Sequence, residues 1–229
     1  MCGRFAQYEG MADYLRELAA EQDVISGYDN VPIGRYNIPP SSRVQILHGT
    51  EGGIHIDSVH WGWAPFWAKG KRPDPINARV ETVTTGKFFK QLWPNGRALV
   101  PANGWFEWVM DPDDPKKKQP YFIRLKRQAP MFFGALAHVS KGLEPAEGDG
   151  FVIITAASDQ GMVDIHDRKP LVLAPDLARE WLDQATSKER GEEIAMQQCE
   201  SAEAFEWFRV HKNVKDARNH SHEVIAPLK

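Results

Sequence analysis

Apolar and polar positions recur along this chain with two periods, and the switches between them mark its elements. Met11, Tyr14, Leu15, Leu18 and Ala19 fall at helical spacing, which predicts an amphipathic helix over 10–22. Residues 25–42 hold Gly27, Pro32, Gly34, Pro39 and Pro40 and read as an irregular connection. Strand-like runs at 44–48 and 54–63 are joined by Glu51-Gly52-Gly53, a hairpin signal. Proline and glycine punctuate 65–75, which reads as an exposed loop, and 84–92 reads as a helix opening at a threonine cap. Apolar runs follow at 98–100, continuing to 105–109, and then at 121–125, 131–137 and 151–155. Helical patterns at 175–182 and 187–198, the second opening at Ser187, precede a last strand at 204–210. No repeat, low-complexity tract or linker interrupts them. The pattern predicts an α+β fold, one domain over 1–229, around a curved, barrel-like, mainly antiparallel β-sheet with peripheral helices.

Composition narrows the class. With 229 residues, 42% of them hydrophobic and 26% charged, the chain is neither disordered nor fibrous. No apolar run approaches the roughly 20 residues of a membrane span. The start has neither a basic segment nor an apolar h-region. Cys2 and Cys199 are the only cysteines, so no disulfide framework supports the fold. These features predict a protein of the reducing cytosol.

A net charge of −3 argues at first against a nucleic-acid partner. The average hides a gradient. Residues 1–60 carry 4 basic and 8 acidic side chains, residues 61–130 carry 13 and 6, and residues 131–229 carry 11 and 17. The basic middle also holds six of the eight tryptophans: Trp61, Trp63, Trp67, Trp93, Trp105 and Trp108. Cations interleaved with flat rings suit single-stranded nucleic acid, whose phosphates and unstacked bases need both. Core tryptophans and a solvated turn at Lys116, Lys117 and Lys118 would produce the same pattern.

Four places could carry chemistry. If Met1 is removed, Cys2 becomes a terminal 1,2-aminothiol, whose amine has an ordinary pKa of about 7.7–8.0, far below a lysine's. Such a terminus can act as a nucleophile. With an aldehyde it forms a Schiff base, which its own thiolate closes to a five-membered thiazolidine. Glu107 stands between Phe106 and Trp108, where desolvation would raise its affinity for a proton and suit acid–base work, unless strand alternation turns it to water. His166, in Asp164-Ile165-His166-Asp167-Arg168, can be held in one tautomer as a proton donor. No second histidine or cysteine stands at metal-ligand spacing from it, so no metal is expected. Asn77 and Arg79 share a face in an extended segment and together suit a phosphate or sugar oxygen.

These places fall within an ordered set of motifs. The chain resembles the SRAP family, abasic-site processing proteins also described as SOS-response-associated peptidases. The matching pieces are Met1-Cys2-Gly3-Arg4-Phe5, Gly34-Arg35-Tyr36-Asn37, Trp61-Gly62-Trp63-Ala64-Pro65, Asn77-Ala78-Arg79-Val80-Glu81-Thr82, Gly104-Trp105-Phe106-Glu107-Trp108, Thr155-Ala156-Ala157 and Ile165-His166-Asp167-Arg168. The resemblance implies an enzyme that caps abasic sites in single-stranded DNA, or at junctions with duplex, through a thiazolidine on Cys2. It implies a positive channel leading to the site, no cofactor, peptidase-type loss of Met1 and a weak β-elimination lyase activity. It assigns Cys2, Asn77, Glu107 and His166 to catalysis. It assigns Arg4, Asn37, Pro40, Phe66, Trp67, Arg79, Thr155 and Arg168 to DNA contact, with Phe66 and Trp67 as a base wedge. A monomer suffices for this chemistry, in the cytoplasm and on the nucleoid when bound. Phe66-Trp67 replaces the tryptophan pair of many relatives, Pro39 a usual alanine, and Asn103 a common aspartate.

Two other readings use the same residues. An N-terminal-nucleophile cysteine peptidase or amidohydrolase would need Cys2 and Glu107 but no basic aromatic groove. A non-catalytic single-stranded DNA-binding module would need the groove but not Cys2.

Overall fold

The computed structural model describes residues 2–25, 28–50, 52–111, 114–140 and 146–228. Strand β1 (Phe5–Gln7) is followed by helix α1 (Met11–Leu18), then β2 (Arg35–Ile38), β3 (Arg43–Thr50), β4 (Gly53–His60) and β5 (Asn77–Arg79). Next come β6 (Arg97–Ala102), β7 (Gly104–Asp111), β8 (Asp114–Leu125), β9 (Met131–His138) and β10 (Gly150–Ala157). Strands β11 (Arg168–Pro170) and β12 (Val172–Leu173), helices α2 (Pro175–Leu182) and α3 (Lys188–Gln197) and strand β13 (Phe205–Arg209) complete the order. One sheet runs β13-β8-β7-β1-β2; the larger runs β11-β10-β9-β6-β3-β4, with β12 on β9 and β5 on β10. Neighbours are antiparallel except β5, which lies parallel to β10. The sheets curl without closing into a barrel. No helix among the described residues is long and apolar enough to cross a membrane.

The central strands of the larger sheet are buried on both faces, which explains the long apolar runs of β6, β9 and β10. Along these strands alternate residues enter different cores. Leu99, Phe132, Val152 and Ile154 meet the helices through Leu15, Leu18 and Trp181. Val100, Phe133, Phe151 and Ile153 face the smaller sheet through Phe5, Trp105 and Ile123. Cys2 is buried in this inter-sheet core.

Several expected elements differ. The helix over 10–22 ends at Leu18, because Ala19 turns into the left-handed region at φ 51°. The helix expected over 84–92 is instead a series of turns, in which Gly86 and Leu92 accept or donate short-range bonds without a continuous ladder. Thr84, Thr85 and Gly86 are poor helix formers. The stretch read as irregular contains β2, which the sheet supports through β1. The run over 98–109 is two strands in different sheets, broken at Asn103. There Asn103 Oδ1 accepts the Tyr8 N–H at 2.9 Å, and a Cβ on Gly104 would stand 2.6 Å from the Ile123 carbonyl oxygen, so only glycine allows the crossing. Lys116, Lys117 and Lys118 belong to β8 and not to a turn. Glu51 of the expected hairpin turn lies outside the described residues, between β3 and β4.

Candidate active site

Strand β1 lies between β2 and β7 in the smaller sheet. Its register pairs Phe5 with Trp105 and Ala6 with Gly104, and the Phe106 N–H donates to the Arg4 carbonyl at 2.9 Å. Continued by two residues, this ladder brings the start of the chain beside Glu107. Burial pushes the Cys2 thiol well above its ordinary range, and the negative charge of Glu107 pushes it the same way. From the other side, the parallel pairing of β5 with β10 sets Asn77 opposite Ile153. The Asn77 amide donates to the Cys2 carbonyl oxygen at 2.9 Å, while its own Oδ1 is buried with no hydrogen-bond partner among the described residues.

Glu107 is only 4% exposed, so strand alternation turns it inward and not to water. Desolvation raises its pKa to about 7, against the pull of the positive amino terminus. His166 lies between the 3-10 turn Gln160–Asp164 and β11. Its Nδ1 accepts the Arg168 backbone N–H at 2.9 Å, so the proton of the neutral ring sits on Nε2. The same Nδ1 faces Asp167 Oδ1 at 2.8 Å, a contact suited to the protonated ring. Desolvation, helped by the positive amino terminus, lowers the His166 pKa and favours the neutral form. A buried aminothiol precursor, a carboxyl poised near neutrality and a neutral imidazole thus surround the start of the chain. That set can move protons for an amine attacking a carbonyl.

The residues assigned to DNA contact separate into two groups. Phe66 is 94% exposed and Trp67 51% exposed, on the 3-10 turn Phe66–Ala68. Arg79 is exposed, and Pro40 is half-buried in the turn after β2. Arg4 is half-buried: it donates to Asn37 Oδ1 at 2.7 Å and to the Val214 carbonyl at 3.0 Å. The other three are internal. Asn37 is fully buried, its amide held by the carbonyls of Val214, Asp216 and Asn219. Thr155 is fully buried with its hydroxyl toward the Ala78 carbonyl. Arg168, 9% exposed, forks onto both oxygens of Glu81 and donates to the Thr155 carbonyl. In this structure the polar groups of these three hold neighbouring strands and loops.

The model of the SOS response associated peptidase (SRAP) family matches residues 1–217. The chain belongs to the SRAP family. It is 46% identical over 229 residues to the abasic site processing protein YedK of Escherichia coli, covering 100% of both chains. It is 30% identical over 228 residues to the abasic site processing protein YoaM of Bacillus subtilis, covering 98% of this chain and 97% of that one. Among solved structures, a phage-related protein of Bordetella bronchiseptica superposes with a TM-score of 0.76 at 38% identity, covering 92% of this chain and 95% of that one.

Two residues beside the exposed rings of this SRAP chain were not singled out in the sequence. Phe88 meets Trp67 edge-on at 5.0 Å between ring centroids, and the Arg72 guanidinium lies over the Phe88 ring at 4.6 Å. The consecutive pair Phe88-Phe89 within a basic stretch was the available signal, but it does not say which ring faces solvent. Cys199 is half-buried against the helix-side core, as a packing thiol. No group of three or more metal-ligating side chains occurs among the described residues.

Proposed function

We propose that this SRAP protein processes abasic sites in single-stranded DNA by linking them covalently to its own N-terminal cysteine after Met1 is removed. The observation that carries the reading is the setting of Cys2. Its carbonyl is held by Asn77, its thiol is buried, and Glu107 lies within electrostatic reach. The names of the relatives YedK and YoaM, as abasic site processing proteins, support the same reading.

The chemistry follows from protonation states. Burial keeps the thiol protonated at neutral pH, so the amine moves first. An abasic deoxyribose interconverts between a closed hemiacetal and an open aldehyde. Neutral His166, with its proton on Nε2, serves the proton transfer that opens the ring. Glu107 takes a proton from the terminal ammonium, and the free amine forms a bond to C1′. The carbonyl oxygen leaves as water, giving a Schiff base. Sγ of Cys2 then bonds to C1′, the electron pair of the C=N bond returns to nitrogen, and the thiol proton follows it. Amine, thiol and aldehyde thus become a thiazolidine and one water. Loss of the C2′ proton from the Schiff base would instead expel the 3′ phosphate, a weak lyase reaction. Met1, which lies outside the described residues, must leave before any of this, because an acylated nitrogen is not nucleophilic. Arg4 and Arg79 serve the flanking phosphates. The Phe66, Trp67 and Phe88 rings serve unstacked bases, which favours single strands. One copy of the chain suffices.

The test is a denaturing gel of protein mixed with single-stranded DNA carrying one abasic site. The expected result is a slow-migrating, heat-stable adduct that Cys2→Ala abolishes, with slower formation but retained binding in His166→Ala. A heat-stable adduct from Cys2→Ala would refute the thiazolidine.

A further inference from the structure

The loop that carries His166 is pinned from outside the candidate active site. Residues 158–167 join β10 to β11, whose register sets Ala157 opposite Arg168 and Ala156 opposite Lys169. The Ser158 N–H donates to the Asp167 carbonyl at 2.9 Å and closes the base of the loop. Within it the His166 N–H donates to the Met162 carbonyl at 3.0 Å, and the Met162 side chain enters the inter-sheet core. These contacts shape the loop. Its polar attachment to the rest of the chain runs through Asp159 and Lys169.

Lys169 is 3% exposed, on a strand whose three residues are all buried. Its Nζ donates to Asp159 Oδ1 at 2.5 Å and to the Glu200 carbonyl at 2.6 Å. The other carboxylate oxygen of Asp159 accepts the Ala202 N–H at 3.1 Å. One carboxylate thus ties the start of the loop both to β11 and to the 3-10 turn Ala202–Ala204. Gln160 adds a bond to Glu203 at 3.3 Å.

Stability alone does not account for this arrangement. Desolvating an ammonium costs about as much as a single ion pair returns, and apolar side chains of similar volume serve as well. Leu171, Val172 and Leu173 fill the next buried positions in that way. What the charged pair adds is direction, because an ammonium, a carboxylate and two backbone groups fit together in one arrangement while apolar contacts tolerate sliding. The pair also stands apart from the reacting residues: both members line a separate cleft of about 280 Å³, with Glu81, Cys199 and Ser201. Its influence on the chemistry therefore passes through the loop.

We propose that Lys169 and Asp159 are positioning residues for His166, holding the 158–167 loop so that the imidazole meets the sugar in the ring-opening step. The proposal rests on the abasic-site reading and adds to it two residues that do not touch the substrate.

The experiment compares wild type with Lys169→Met, Lys169→Met/Asp159→Asn and His166→Ala. Lys169→Met leaves a carboxylate without its partner and should lower the melting temperature by about 10 °C. The double variant removes both charges, and the asparagine carbonyl still accepts the Ala202 N–H, so most of that loss should be regained. Single-turnover adduct formation at saturating protein is followed on two single-stranded oligonucleotides. One carries a natural abasic site; in the other the 4′ hydroxyl is replaced by hydrogen, so the aldehyde cannot close into a ring. Misplacing a catalytic group by about 1 Å costs up to about a hundredfold, so both Lys169 variants should be about ten- to a hundredfold slower on the natural site and within about twofold of wild type on the open aldehyde. Affinity for an oligonucleotide with an unreactive tetrahydrofuran abasic analogue, read by fluorescence anisotropy, should stay unchanged. Adding Lys169→Met to His166→Ala should cause no further loss on the natural site. If Lys169→Met does not fold, the double variant decides. A merely structural pair gives another pattern: the rate recovers with the melting temperature in the double variant, or falls equally on both oligonucleotides. Either pattern overturns the proposal. If wild type forms no adduct on either oligonucleotide, the abasic-site reading fails and the positioning role with it; a wild type that crosslinks beside equally fast variants refutes the positioning role alone.

Discussion

The side-chain amide of Asn77 donates a 2.9 Å hydrogen bond to the carbonyl oxygen of Cys2. Strand β5 reaches this position only through its parallel pairing with β10, so the second residue of the chain is held by a strand far along the sequence. A neutral hydrogen bond of this kind contributes about 0.5–1.5 kcal/mol. Asn77→Ala should therefore slow adduct formation about tenfold while leaving the affinity for the tetrahydrofuran analogue within about twofold of wild type. Single-turnover rates set beside anisotropy titrations check this, and a proportional loss of binding would assign Asn77 to substrate affinity instead.

Glu107 makes the protein pH-sensitive in a defined direction. Its folded pKa of about 7 lies above the ordinary carboxylate value because burial opposes ionisation. The native state thus holds this proton more tightly than the unfolded chain, and its stability falls as pH rises from about 4.5 to about 7. The full cost above that window is on the order of 3 kcal/mol. Glu107→Gln should be more stable than wild type at pH 8 and close to it at pH 5, measured by denaturant melts at both.

Reactivity runs the other way with pH. The carboxylate that accepts the amine's proton is present only above about pH 7, so adduct formation should rise between pH 6 and 8. In Glu107→Gln the rise should weaken and follow the terminal amine alone, near about 7.7–8.0. Initial rates across that range check the assignment; identical profiles for the two proteins would remove Glu107 from the proton transfer.

Arg79 on β5 and Arg168 on β11 both lie on strands paired with β10 but should respond oppositely to alanine. Arg79 is exposed, and its loss should lower the salt slope of single-strand binding by about 0.7 with little change in melting temperature. Arg168 is engaged by Glu81 and the Thr155 carbonyl, so Arg168→Ala should cost about 1–3 kcal/mol of stability and leave the slope unchanged. Salt titrations and thermal melts on both variants separate the roles.

The exposed rings give the remaining expectation. Stacking of a base on an aromatic side chain contributes about 1–3 kcal/mol. Trp67→Ala should weaken single-strand binding roughly five- to a hundredfold, and Phe66→Ala should weaken it without lowering the melting temperature, since Phe66 is 94% exposed and packs on nothing that folding needs. Equal affinity of wild type and a Phe66→Ala/Trp67→Ala variant for single strands would rule out the wedge.

Much of the molecule is legible in the order of its residues. The doubly buried strands β6, β9 and β10 announce themselves as long apolar runs, because both of their faces are covered. The helices at 175–182 and 187–198 follow from periodicity and from Ser187, whose hydroxyl accepts the Arg190 N–H. The motif around Cys2 and the ring-flanked Glu107 mark the site of the proposed chemistry, since a buried carboxylate is costly unless used. Tertiary structure alone decides which polar groups are free to act. Asn37, Thr155 and Arg168 look as available in the sequence as Arg79, yet most of their donors are engaged by carbonyls and a carboxylate from distant segments. Conversely, Lys116, Lys117 and Lys118 read locally as a solvated turn and become one wall of a groove only because β8 pairs with β7 beside the turn Lys212–Lys215. Local pattern reports what a segment can bury; hydrogen-bond satisfaction and electrostatic crowding depend on partners that only the folded chain brings within a few ångströms.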